Sequence, residues 1–161
     1  MFKVVKPFLL VGLFAVCLIS TVQSQGMLSR NGLGPYMGYS SNPDQVVFGG
    51  QGNFALTDSP IHFAPAIDFG FGDDITVTTL NCDITYDFVP SSGKVVFFVG
   101  AGPTVAFYSA DQADGSEAGL TLTFGAALPA GMQNSWNFAA RIGVGDIPDV
   151  KFQFGYLFGL K

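Results

Sequence analysis

Apolar and polar residues alternate with a period of two along almost the whole chain after residue 32, most clearly in the last segment, Val150–Lys161. There Phe152, Phe154, Tyr156, Phe158 and Leu160 fall on one face, and Lys151, Gln153, Gly155 and Gly159 on the other, with Leu157 the one apolar exception. A period of two is that of a β-strand. The same alternation predicts seven further strands, at Leu33–Ser40, Gln45–Leu56, Ile61–Phe71, Ile75–Phe88, Val95–Ser109, Glu117–Leu128 and Asn134–Val144. Between them stand turn-forming stretches such as Ser41-Asn42-Pro43-Asp44, Thr57-Asp58-Ser59-Pro60 and Gly72-Asp73-Asp74. Asp111 to Ser116 is the longest and most polar of these connections, and no segment carries a helical period.

The two faces differ in kind. One is large and rich in aromatics; the other is small and polar, with few charges. A soluble sheet would turn a varied, charged face to water, whereas a narrow barrel needs small polar residues in its lumen and apolar ones toward lipid. The composition agrees, with 48% hydrophobic and 12% charged residues against about 25% charged in an average soluble domain. Eight strands joined by short turns predict an all-β fold, an eight-stranded antiparallel up-and-down transmembrane β-barrel, whose closure removes exposed strand edges. Outward aromatics then form two bands. One holds Phe54, Phe63, Tyr86, Phe88, Phe97, Trp136 and Phe158, the other Tyr39, Phe48, Phe69, Phe71, Phe107 and Phe152; two such girdles suit the two interfaces of a membrane.

The first residues read differently. Lys3 and Lys6, an apolar run from Phe8 to Ile19 and the small residues Val22 and Ser24 make residues 1–24 a cleaved secretory signal peptide, too short in its apolar part for a spanning helix. Cys17 raises a lipoprotein signal, but Val16 is bulky for the position before a lipidated cysteine. Residues 25–32 have no period and are expected to be a loose segment ahead of a barrel domain at 33–161. Removing residues 1–24 takes Lys3 and Lys6 away and moves the formal net charge from −5 to −7, which disfavours nucleic acid as a partner. Cys82 is then the only cysteine, so neither an internal disulfide nor a cysteine metal site is expected, and no cofactor.

The segments Gly34-Pro35-Tyr36-Met37-Gly38-Tyr39-Ser40, Asn42-Pro43-Asp44-Gln45, Phe69-Gly70-Phe71-Gly72-Asp73-Asp74 and Gly143-Val144-Gly145-Asp146-Ile147-Pro148-Asp149 resemble those of small bacterial outer-membrane β-barrel proteins of the porin-like or OmpA-like group. The resemblance spans nearly all of residues 33–161 and consists of strand and turn patterns, so it speaks to architecture more than to activity. It implies a Gram-negative outer membrane surrounded by lipid and lipopolysaccharide. It also implies an N-terminus in the periplasm and recognition of the last strand by the barrel-assembly machinery, often through a terminal aromatic. This chain departs from that by ending Phe158-Gly159-Leu160-Lys161. A monomer is the favoured state.

Three groups of residues are candidates for chemistry. Asp68, Asp83 and Arg141 face the lumen at similar depth, so Asp68 and Arg141 could meet across it. They form either a charged constriction that selects ions or an ion-paired plug, since a barrel of this size is filled by side chains. His62 is the single histidine; lipid A deacylase barrels carry a serine separated from their histidine by one residue, where this chain has Ala64, so a lumen-facing structural histidine is expected and no catalytic residue is assigned. With a periplasmic N-terminus the outer turns carry Asp44, Asp73, Asp74, Asp111, Asp114, Glu117, Asp146 and Asp149, leaving Asp58 and Asp87 at the inner rim. Such a rim attracts cations, or is simply a solvated rim of turn-forming residues, and no metal site is assigned. Gly100-Ala101-Gly102 precedes no helix and is not a phosphate loop.

The expected function is a structural or interaction role for an outer-membrane barrel that is not an enzyme. A narrow channel for ions or small solutes is the alternative, and a lipid-modifying enzyme a further one. A soluble lipocalin-like barrel would need more charge than this chain has to cover its exterior. Cys82, on the apolar face of its strand, is expected to face lipid and resist polar thiol reagents.

Overall fold

A computed structural model describes residues 30–56, 59–72, 75–91, 93–110, 113–131 and 133–160. The residues read as a signal peptide, and residues 25–29 after them, lie outside these. Eight strands run in chain order: β1 Gly32–Ser41, β2 Gln45–Ala55, β3 Ile61–Phe71, β4 Ile75–Phe88, β5 Val96–Ala110, β6 Ala113–Pro129, β7 Ser135–Gly145 and β8 Val150–Gly159. Each pairs with its neighbours in sequence, antiparallel throughout, and β1 pairs with β8 to close the barrel.

The alternation in the sequence becomes the two sides of the wall. Outward side chains such as Met37, Phe48, Phe69, Leu80, Phe107, Phe124 and Phe152 stand exposed, while Tyr36, Val47, Asp68, Asn81, Thr104, Thr121 and Gln153 on the same strands are buried in the lumen. Register sorts the outward aromatics by height. Phe54 pairs with Phe63, Phe88 with Phe97 and Trp136 with Tyr156 at the end holding the chain termini. Tyr39 pairs with Phe152 and Phe48 with Phe69 toward the other end. Within the first band rings touch directly: Trp136 stacks on Phe154 at 5.2 Å and meets Tyr156 edge-on at 4.6 Å.

Most strand limits fall within two residues of the sequence expectation, and two departures at the starts of β6 and β1 have physical reasons. β6 begins at Ala113 rather than Glu117, because Asp114, Gly115 and Ser116 pair with Ser109, Tyr108 and Phe107. That stretch lacks an apolar face because it lies beyond the end of β7, with residues 114–118 all exposed. The expected loose segment at 25–32 is not loose at its end. Gly32 already belongs to β1, paired with Asn53 and Gly159, and Arg30 is 4% exposed inside the barrel.

Glycines make room where the lumen is crowded. A Cβ on Gly125 would run into the ring of Phe98, and one on Gly143 would come within 2.9 Å of Ile147. Ile147 lies in the turn between β7 and β8, which folds inward. Buried Ile147 packs with Val77 and Ala106, and the Tyr108 hydroxyl donates to the Asp146 carbonyl at 2.9 Å, so this turn is held against the lumen at the end away from the termini.

Candidate functional site

Inside the wall three carboxylates on β3 and β4 each meet a cation from another element. On β3, Asp68 is 1% exposed and takes the Lys151 ammonium of β8 at 2.9 Å. It also accepts the Thr79 hydroxyl at 2.6 Å, the Tyr36 hydroxyl at 2.8 Å and, at 3.4 Å, the Asn81 amide. Lys151 additionally donates to Thr79 at 2.7 Å. From Asn81 the network continues through Thr104, which donates to it at 2.9 Å, to Thr121 at 2.5 Å.

On β4, Asp83 is fully buried and accepts the Thr123 hydroxyl at 2.7 Å, with the Arg141 guanidinium at 3.4 Å. Asp87, two pairs of residues nearer the termini, accepts both Nε and a terminal nitrogen of Arg30, at 3.0 and 2.5 Å. Arg30 also donates to Thr85 at 3.1 Å and lies 3.8 Å over the ring of Phe98. Three buried negative charges therefore face three buried positive ones, the arrangement that lets charge sit inside a barrel.

Asp68, Asp83 and Arg141 are all in the lumen, but Asp68 does not meet Arg141. Arg141 and Lys151 are direct cross-strand partners, so the two cations sit side by side; Lys151 reaches Asp68 and Arg141 turns to Asp83. The inward parity of β8 marks Lys151 as lumen-facing, and only the register between strands shows that its charge belongs to the network. Arg30 was missed because it lies in a segment without a period, where side-chain direction cannot be read. Asp87, expected at the inner rim, is 4% exposed and bound to Arg30.

His62 is lumen-facing and 4% exposed; its Nδ1 lies 3.6 Å from Asp87 and makes no hydrogen bond. It is thus held beside the Arg30–Asp87 pair. Of the outer acids, Asp73, Asp74 and Asp111 lie outside the described residues, as does Asp58. Asp44, Asp114, Glu117, Asp146 and Asp149 are exposed. Several serve their own turns: Asp44 accepts the Tyr39 hydroxyl at 2.6 Å, Asp114 the Ser109 hydroxyl at 2.9 Å and Asp149 the Asn42 amide at 2.8 Å. Among the described residues no three His, Cys, Asp or Glu side chains converge as metal ligands would.

The lumen holds small voids. One of about 20 Å³ is lined by Gln51, Asn53, Asp83, Asn137, Arg141 and Gln153, among others, and a second of about 10 Å³ by Asn81, Thr104, Thr121, Arg141, Ile147 and Lys151. Arg141 borders both. Around the first, Arg141 Nε, Asp83 Oδ1, Gln51 Nε2 and Gln153 Nε2 are buried without a protein partner. A void of that size takes about one water molecule, and these atoms are the partners it needs.

No family model matches the sequence, and no curated protein sequence matches it either. Solved structures do. Neisserial surface protein A superposes with a TM-score of 0.65 at 15% identity, over 84% of this chain and 100% of that one. The N-terminal β-barrel domain of Pseudomonas aeruginosa OprF gives 0.57 at 13% identity, over 80% and 98%. The outer membrane enzyme PagL gives 0.51 at 14% identity, over 80% and 99%. At such identities the likeness is one of fold: this chain has the architecture of small eight-stranded outer-membrane β-barrels.

Proposed function

We propose that this chain is an integral barrel of the bacterial outer membrane, exported by its signal peptide, with a structural or interaction role and no catalytic one. The observation that carries the reading is the lumen. Three ion pairs, their hydrogen-bonded neighbours and the inturned Ile147 crowd into it, and the two voids described are each of single-water size, which supports a lumen without a continuous water column. The apolar, aromatic-banded exterior supports a lipid surrounding, and the outer-membrane structures that share the fold support the address. Lipid and lipopolysaccharide are then its immediate partners, with the assembly machinery engaging β8. The test is conductance of the inserted barrel, expected to be silent.

A narrow channel is the second reading, favoured by one feature: Arg141 borders both voids and holds Asp83 only loosely, at 3.4 Å. Stepwise current that changes selectivity in Arg141→Ala would put this reading first. An enzymatic role is weighed against by the burial of His62, and an altered lipid A profile on overexpression, lost in His62→Ala, would restore it.

A further inference from the structure

β6 outgrows its neighbour β7. β6 starts at Ala113, but its ladder to β7 starts only at Gly119, opposite Gly145. Ala113–Ala118 therefore pairs with β5 alone. On the other side β5 is covered, since Tyr108, Ser109 and Ala110 pair with Val77, Thr76 and Ile75 of β4. Beyond the end of β7 the sheet therefore has one open edge on β6, and residues 114–118 are exposed. Alternate residues of a strand point their backbone groups to the same side, so six residues leave about three donors and three acceptors facing outward without a strand. An open edge of that kind is a template for strand addition.

The side chains at the edge select what can add to it. Asp114 and Glu117, three apart, point to opposite faces of the sheet, and exposed Asp146 stands where β7 ends. Neither residues 105–119 nor 142–150 contain a lysine or arginine. Two copies meeting edge to edge would set carboxylate against carboxylate, which opposes self-association. An extended segment with basic residues three apart would set a cation near a carboxylate on each face. We infer that the free edge of β6 at Ala113–Ala118 is a strand-addition site for an extended basic segment of a partner protein. This gives the interaction role proposed above a surface and a partner chemistry, and rests on that reading.

The experiment uses the full barrel in lipid nanodiscs and the synthetic peptide Val-Lys-Thr-Val-Lys-Val, with an analogue N-methylated at alternate amides and one carrying Glu for Lys. Amide exchange read residue by residue should show new protection confined to Ala113–Ala118 when the parent peptide is added. N-methylation should weaken binding on the order of tenfold or more, because backbone bonds are lost, and D114K/E117K should transfer the preference to the Glu peptide. Since both residues are exposed beyond the end of β7, that variant keeps the barrel, as its gel shift would verify. Equal binding of the N-methylated peptide would reduce the site to surface charge and overturn the inference. So would absent protection in an inserted barrel, an outcome that leaves the outer-membrane reading intact, and so would concentration-dependent protection without peptide, which would make the occupant a second copy.

Discussion

Asp68 and Asp83 are both buried aspartates facing a cation across the same lumen, and they are solvated differently. Asp68 gathers an ammonium, two hydroxyls and an amide, so it is bound by protein alone. Asp83 has one short hydroxyl bond and a guanidinium at 3.4 Å, while its Oδ1 and the Nε of Arg141 have no protein partner beside a void of about 20 Å³. One carboxylate is closed by protein hydrogen bonds; the other leaves an oxygen unpartnered beside room for water. The contrast says which of the two ion pairs is the more rigidly held and which would first give way.

Removing the cation from the fully hydrogen-bonded site should cost most. Lys151→Met leaves Asp68 charged and buried with only neutral donors, a loss of about 3–5 kcal/mol in urea unfolding from lipid vesicles. Adding Asp68→Leu should recover most of it, and failure of that rescue would mean the lysine acts through packing. Arg30→Ala removes its bonds to Asp87 and Thr85 and its seat on Phe98, expected at about 2–3 kcal/mol, with greater proteolytic access to the residues before β1. Arg141→Met should cost less, about 1–2 kcal/mol, since water can enter beside Asp83; a cost equal to that of Lys151→Met would erase the distinction between the sites. Tyr36→Phe, which deletes one hydroxyl bond to Asp68, is expected at about 1 kcal/mol. Cys82, exposed on the outer wall beside Pro65 and in a gap of the β4–β5 ladder between the Asn81–Thr104 and Ile84–Ala101 pairs, should resist a polar maleimide in vesicles and react in unfolded protein.

Strand alternation carried most of this architecture into view. β3 and β4 have the expected limits, and Asp68, Asp83 and Arg141 point inward as their parity requires. Parity fixes a side of the wall but not a partner. Which cation meets Asp68 depends on the stagger between strands, which places Lys151 beside Arg141, and stagger leaves no local trace in sequence. Arg30 was illegible because nothing periodic surrounds it. The early start of β6 was illegible for the opposite reason: a strand exposed on both faces has no reason to alternate. Ile147 belongs to a turn by composition, and only the space left by glycine at 143 and 119 lets it fold into the lumen.

The central claim, that this barrel is closed by its own side chains, is tested most directly by current across a planar bilayer, with insertion verified by a heat-dependent gel shift. The account predicts a flat record from inserted wild-type protein. Discrete, reproducible conductance steps from that same protein would contradict it.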